Sequence, residues 1–164
     1  RQEQREGATL LLEDESRAIG SLSLPLELHR AMSLAPIIRV EEPLEFRVET
    51  ILNDYIVSNL TDFVRLDADK GKDLFAESLL GSLDKIRKRL GGERHSSLRQ
   101  SMSAAISNNN DLDQHRAWIR GLLVDYYDPM YEYQMTKKQQ RVVFKGDSRA
   151  FLDWAAEFAD LQEQ

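Results

Sequence analysis

Three prolines punctuate the first third of the chain and constrain what it can fold into more than any other feature. Pro25 precedes an apolar-periodic stretch, and proline suits a first helical turn, so a short amphipathic helix is expected over Pro25 to Leu34. Pro36 ends it, and Ile37 to Val40 reads as a buried strand. Pro43 then opens a longer helix with Leu44, Val48, Ile51, Leu52, Tyr55 and Ile56 on one face. Upstream, Ala8 to Leu12 is a continuous apolar run that ends in acids, the pattern of a buried parallel strand. Strand, helix, strand, helix implies a parallel sheet and an α/β fold class.

The middle of the chain has a different period. Phe75, Leu79, Leu83, Ile86 and Leu90 recur every three or four residues, and Gly91 stands where a helix C-terminal cap belongs. Helices are expected at about 93–107 and 112–127, separated by Asn108-Asn109-Asn110-Asp111. After Pro129 the pattern returns to a strand, Arg141 to Lys145, and to a final helix over about 148–161, with Phe151, Leu152, Ala155 and Phe158 as its buried face. Residues 1–60 and 129–164 therefore form α/β portions around a mainly helical segment, 61–128. Trp118 and Trp154 fall on apolar helix faces and read as core. Three strands are few for a sheet covered on both faces. A first strand and its following loop are expected upstream of Arg1, and the polar residues Arg1 to Gly7 read as a cut end.

Composition excludes several chemistries. With no cysteine among 164 residues, disulfides, thiolate metal sites and thiol catalysis are absent from this chain. The three histidines, His29, His95 and His115, have no ligand spacing. No apolar run is long enough to span a bilayer and no signal peptide is recognisable, so a cytoplasmic location without membrane contact is expected. The net charge of -6 argues against a protein that coats nucleic acid in bulk. The charge is uneven, however. Residues 1–60 hold 11 acids and 6 bases, whereas 85–99 hold 6 bases and one acid, and 137–149 hold 5 bases and one acid. Basic patches on an acidic body suit a specific RNA, although solvated helix faces look the same in sequence.

Two constellations can carry chemistry. The first is Glu13-Asp14-Glu15-Ser16-Arg17. Acids after an apolar strand can hold Mg²⁺ or donor phosphates at the carboxyl end of a parallel sheet, and Arg17 can answer a phosphate with its forked N–H groups. Acids favoured by a helix dipole are the plainer alternative. The second runs Tyr126-Tyr127-Asp128-Pro129-Met130-Tyr131-Glu132-Tyr133-Gln134 and is followed by Lys137 and Lys138. Four of the five tyrosines lie in these eight positions, 126–133. Tyrosines beside bases can stack on unpaired nucleobases while lysines take backbone phosphates; half-buried tyrosines at a helix end are the alternative. Arg87-Lys88-Arg89 is an RNA-facing candidate by the same logic. A phosphate loop, G-x-x-x-x-G-K-[ST], is missing: at Gly71-Lys72 the first glycine is replaced by Leu66 and the final residue by Asp73.

Several runs together go beyond class. Glu13-Asp14-Glu15-Ser16-Arg17-x-Ile19-Gly20 with Leu24-Pro25, Arg47 with Asp54-Tyr55, Ile86-x-x-Arg89-Leu90-Gly91, the tyrosine-rich run, and Val142-Val143-Phe144-x-Gly146 resemble the tRNA 2-selenouridine synthase family in order and spacing over nearly the whole chain. The resemblance implies the C-terminal part of a P-loop-type α/β domain, with a rhodanese-like domain and the phosphate loop upstream. It implies a transferase that acts on tRNA bearing 2-thiouridine at the wobble position, with geranyl diphosphate and selenophosphate as co-substrates and a selenophosphate-supplying enzyme as a further partner. No cofactor is expected in this chain itself, and Mg²⁺ is an open question. On this reading Glu13 and Glu15 are catalytic near a metal or donor phosphates, and Arg17 binds phosphate. Arg87, Lys88, Arg89, Lys137 and Lys138 hold tRNA, with Tyr127 and Tyr131 near the nucleoside. A chain without thiol or phosphate loop is expected to be inactive alone. A nucleotide-kinase-like phosphotransferase and a non-catalytic tRNA-docking module are the rival readings.

Overall fold

The computed structural model describes residues 10–14, 16–19 and 21–162. The chain divides into two compact units, one of residues 1–40 and 138–164 and the other of 41–137. Among the described residues, no helix is long and apolar enough to cross a membrane.

The first unit is the α/β one. A two-residue strand β1 (Ala18–Ile19) pairs antiparallel with β2 (Leu22–Ser23). Helix α1 (Leu26–Leu34) begins directly after Pro25, as expected. It stops before Pro36 because the residue ahead of a proline is driven out of the helical region; Ala35 is extended, with ψ 153°. The guanidinium of Arg141 donates to the carbonyls of Met32 (3.1 Å) and Ala35 (2.9 Å), satisfying acceptors that the helix end leaves open. Strand β3 (Ile37–Val40) pairs parallel with β4 (Val142–Gly146), Ile38 opposite Phe144 and Val40 opposite Gly146. Asp147 then caps α9 (Ser148–Gln162) by accepting from the Ala150 N–H at 2.8 Å. Phe144 packs against Phe151 and Trp154 of α9, ring centroids 5.9 and 5.2 Å apart.

Two sequence expectations for this unit are corrected. Ala8 and Thr9 lie outside the described residues, but Leu10, Leu11 and Leu12 are exposed (75, 59 and 51%) and form no strand. An apolar run records a preference for burial, but a strand also needs a ladder partner, and β3 and β4 pair only with each other among the described residues. On α9, Leu152 is 66% exposed, because the face that meets β4 is that of Phe151 and Trp154; the Phe158 side chain lies outside the described residues.

The second unit is wholly helical. After Pro43, α2 (Leu44–Ile51) runs on through a π-helical segment (Leu52–Ser58) into α3 (Asn59–Leu66). Val48, Leu52 and Ile56, four residues apart, are 0–1% exposed. Tyr55, expected on this face, is 59% exposed. Hydrogen bonds that reach back five residues turn the helix less per residue, which confines the buried seam to the four-residue repeat. A turn built on Asp67, whose carboxylate accepts from the N–H groups of Asp69 and Lys70, leads into α4 (Gly71–Lys85). A break at Ile86 starts the short α5 (Arg87–Leu90), and Gly91, at φ 82°, turns the chain into α6 (Gly92–Ser107). Only glycine takes that backbone without strain.

Helix α7 (Leu112–Leu122) is capped by the Asp111 carboxylate, which accepts from the Gln114 N–H at 2.8 Å. The helix expected to end near Tyr127 continues instead, through a second π-helical segment (Leu123–Tyr127) into α8 (Asp128–Thr136). Pro129 is tolerated because the wider turn before it changes the hydrogen-bond pattern that a proline would otherwise break. Phe75, Leu83, Leu90, Met102, Trp118, Ile119 and Leu123 complete the core with the Val48–Leu52–Ile56 seam. A 3₁₀ turn (Gln139–Arg141) leads back to β4.

Inside this core, His115 is fully buried. The Trp118 indole N–H donates to its Nδ1 at 2.9 Å, which requires that nitrogen to be unprotonated, since indole is a donor only. Burial pushes the His115 pKa below its ordinary value, against the pull of Asp111. The unfolded chain therefore takes up a proton before the folded one does. This contribution to stability is complete above the ordinary histidine pKa of about 6.5 and is lost as pH falls below it toward the folded value. Unfolding free energy should decline between pH 7 and pH 5.5 with a slope of up to about 1.4 kcal/mol per pH unit from this group. His115→Gln should flatten that slope; an unchanged slope in chemical denaturation would refute the assignment.

Close approach decides a second expectation. A Cβ at Gly71 would stand 2.5 Å from the Phe63 carbonyl oxygen and 2.6 Å from Val64 Cα, both backbone, whereas one at Gly81 meets nothing within 4 Å. Gly71→Ala should destabilise by roughly 1–3 kcal/mol, and Gly81→Ala should stabilise by about 0.5–1 kcal/mol. Denaturation midpoints of the two variants check both signs.

Candidate nucleic-acid interface

Three forked ion pairs fix α2 against α7 and α8. Glu45 and Glu49 stand one turn apart on α2, and Arg116 and Arg120 one turn apart on α7. Arg116 grips Glu49 through Nε (2.6 Å) and Nη2 (3.0 Å), and Arg120 grips Glu45 through Nε (3.0 Å) and Nη2 (2.6 Å). Arg47 reaches Asp128 through both Nη atoms, at 2.5 and 3.0 Å, across 81 residues of sequence. The hydrogen bonds from Arg120 and Arg116 hold the Glu45 and Glu49 carboxyls below the usual range, and Asp128 raises the Arg47 guanidinium. The Arg47 Nε is buried with no partner among the described residues, so this guanidinium depends on Asp128 for its compensation.

This clamp holds the two π-helical segments, and both carry tyrosines. Tyr126 meets Tyr127 edge-on at 4.9 Å, and Tyr127 lies nearly parallel to Tyr131 at 6.2 Å and 22°. Burial is the main cause that raises the Tyr127 phenol pKa; the electrostatics of Tyr126, Tyr131 and Tyr55 add to it, and Arg89 opposes. Tyr55 of the first π segment and Arg89 of α5 are thus within electrostatic reach of Tyr127. Tyr126 and Tyr127 are half-buried while Tyr131 and Tyr55 are exposed, an arrangement with anchored rings and open faces. Tyr133 is exposed and carries Lys137 over its ring at 4.3 Å, a cation–π pair.

Arg87, Lys88 and Arg89 are all exposed and form no ion pair among the described residues. The first unit holds the other candidates. Glu13 and Asp14 are exposed and follow no strand, so they do not stand at a strand's carboxyl end. Asp14 is ion-paired with Lys138, which takes up the charge of that lysine. Arg17 is exposed, and its carbonyl accepts from the Leu24 N–H at 2.8 Å. Glu15 lies outside the described residues. Residues 10–14 line a shallow apolar cleft of about 460 Å³ with Met32, Pro36, Ile38 and Phe151. No group of three or more histidines and acids placed to hold a metal occurs among the described residues.

Sequence reasoning gave Arg47 and Asp128 no role beyond the motifs of the family resemblance and placed Tyr55 on the buried face of its helix. The matched i,i+4 spacing of Glu45/Glu49 and Arg116/Arg120 was the one local signal of the clamp.

The description "tRNA 2-selenouridine synthase AAA domain" belongs to the family model that matches residues 1–161. The chain belongs to that family. Curated relatives agree: a tRNA 2-selenouridine synthase of Pseudomonas fluorescens is 48% identical over 149 residues, 89% of this chain and 41% of its own length. One of Bordetella petrii is 48% identical over 88% of this chain and 40% of its own. One of Shewanella frigidimarina is 46% identical over 93% and 43%. The chain thus spans about two-fifths of the length of the synthases it matches. No solved structure matches.

In this family member the clamp has a measurable consequence. Asp128→Asn removes the charge that compensates a partly buried guanidinium, at a cost of about 1–2 kcal/mol after allowance for its one-third exposure. It should also reduce the near-ultraviolet dichroism of the tyrosine cluster before global unfolding. Unchanged stability and dichroism would show that the pair does not hold the cluster.

Proposed function

We propose that this chain is the tRNA-holding part of a transferase that modifies wobble uridine, and that its helical unit presents the nucleic-acid surface. The observation that carries the reading is the tyrosine cluster beside Arg89: anchored rings with open faces, next to cations that no carboxylate neutralises among the described residues. Such a surface takes unpaired bases by stacking and phosphates by charge, which suits an anticodon loop better than a duplex. Membership of a family described as tRNA 2-selenouridine synthase AAA domain supports the choice of tRNA.

For the whole protein, the proposed reaction replaces sulfur by selenium at 2-thiouridine. The thiocarbonyl sulfur attacks geranyl diphosphate and expels diphosphate; the selenium of selenophosphate then attacks C2 and expels the geranylthiol, and water cleaves the P–Se bond to release phosphate and leave 2-selenouridine. The phosphate loop and a rhodanese-like domain would be supplied by the part of the protein that this chain does not cover. Glu13 and Glu15 would serve the donor phosphates or Mg²⁺, and Arg17 a phosphate. A docking role alone is the second reading, favoured by the pairing of Asp14 with Lys138 beside these acids. Glu13→Gln with Glu15→Gln in the intact enzyme separates the two: turnover should fall roughly 100-fold if the acids serve the chemistry and stay near normal if the chain only docks.

The RNA surface itself is tested by salt. Arg87→Ala, Lys88→Ala and Arg89→Ala together should weaken tRNA binding and lower the slope of log K against log salt by about 0.7–0.9 for each phosphate no longer neutralised. Tyr131→Ala should cost about 1–3 kcal/mol of affinity with the slope unchanged. If neither change alters tRNA affinity, the helical unit does not carry the interface.

A further inference from the structure

Behind the basic face of α5 lies a cleft of about 470 Å³ lined by Asp84, Arg87, His95, Ser96 and Arg99. Its construction follows from the breaks in the chain. Asp84 is at the end of α4 and Arg87 follows the break at Ile86, while Gly91 reverses the chain so that α6 returns alongside. On α6, His95, Ser96 and Arg99 occupy positions i, i+1 and i+4, so their side chains share one face, and the packing of α4 on α6 brings that face to Asp84.

The cleft contains one carboxylate, and both its oxygens are engaged. The buried His95 bonds through Nε2 to Asp84 Oδ1 at 2.8 Å, and Arg99 donates from Nη1 to Oδ2 at 2.9 Å. This tie fixes the positions of His95 and Arg99 and uses up the negative charge. What remains is a set of donors. Arg87 has no ion pair among the described residues and keeps its whole fork free, Arg99 keeps its remaining N–H groups, and the Ser96 hydroxyl has no hydrogen-bond partner there. Two guanidiniums against one carboxylate leave the cleft cationic.

We propose that this cleft is a phosphate-oxyanion site, with Arg87 as its forked ligand, Arg99 and Ser96 as further donors, and Asp84–His95 as the brace that positions Arg99. Phosphate is acceptor-only and matches a donor set of this kind with paired N–H groups. The oxyanion is that of an RNA backbone or of a small phosphorylated compound, and both present the same oxygens. The assignment goes beyond the tRNA reading, because a free-phosphate ligand requires no RNA.

The test uses the intact protein with ring-labelled histidine, followed by NMR, with the His95 signal identified from its loss in His95→Gln. Inorganic phosphate and an unmodified tRNA transcript are titrated in parallel at constant ionic strength, with chloride as control. A saturable shift of His95 with phosphate, weakened at least about tenfold in Arg87→Gln and less in Ser96→Ala, supports the site with a small phosphorylated ligand. A shift with tRNA alone, removed by Arg87→Gln, supports the site with a backbone phosphate. No shift with either ligand, or a shift that survives Arg87→Gln, overturns the proposal. Phosphate binding alongside absent tRNA binding would sink the tRNA reading and leave this one standing.

Discussion

The helical unit depends on one seam. Val48, Leu52 and Ile56 repeat every four residues along α2 and its π-helical continuation, and they face a core that includes Trp118, Ile119 and Leu123. Burial of such side chains is worth roughly 1.5–3 kcal/mol each, which makes the seam the dominant attraction between these helices. The three forked ion pairs beside it add less energy than geometry. A hydrophobic seam tolerates sliding, whereas a guanidinium that grips a carboxylate with two N–H groups accepts one register. Position along the seam, and hence the placement of α2 and its π-helical continuation relative to the Tyr126–Tyr127–Tyr131 cluster, follows from Arg116–Glu49, Arg120–Glu45 and Arg47–Asp128.

The π-helical segments link this packing to the proposed RNA surface. Each lies where a helix must serve the core and also present tyrosine. In the first, the four-residue seam is kept while Tyr55 is turned outward. In the second, the wider turn lets the helix run past Pro129, so that Tyr131 and Tyr133 are carried on a continuous rod. π-Helical turns are uncommon and frequently mark functional sites. Two of them, both bearing tyrosines of one cluster, point to the same surface that the bases of α5 border.

Much of the fold was legible from punctuation. Pro25, Pro36 and Pro43 set the boundaries of α1, β3 and α2, because proline restricts φ locally, and Gly91 marked the turn between α5 and α6, because glycine alone takes a positive φ freely. A parallel sheet and the strands at Ile37 to Val40 and after Pro129 were also expected from pattern, but not that these two would pair with each other. What escaped notice was set by distant partners. The Arg47–Asp128 pair spans 81 residues, the close approach that demands Gly71 involves the backbone at Phe63 and Val64, and no local signal announces a π-helical turn. Leu10 to Leu12 read as a strand because an apolar run states a preference for burial without naming its partner. Of the candidate site, the tyrosine run and Arg89 were legible and are brought together; Tyr55, its exposed companion, was assigned to the core by its spacing.

The central claim is that the helical unit, through its tyrosine cluster and Arg89, is where this protein holds RNA. Photo-crosslinking of the intact protein to tRNA, with the attachment sites mapped by mass spectrometry, tests it most directly. The account predicts nucleotide adducts on Tyr131, Tyr127 or Tyr55 and on the neighbouring 86–90 segment. Adducts confined to residues 10–40 and 138–162, with none on the tyrosine cluster, would contradict it.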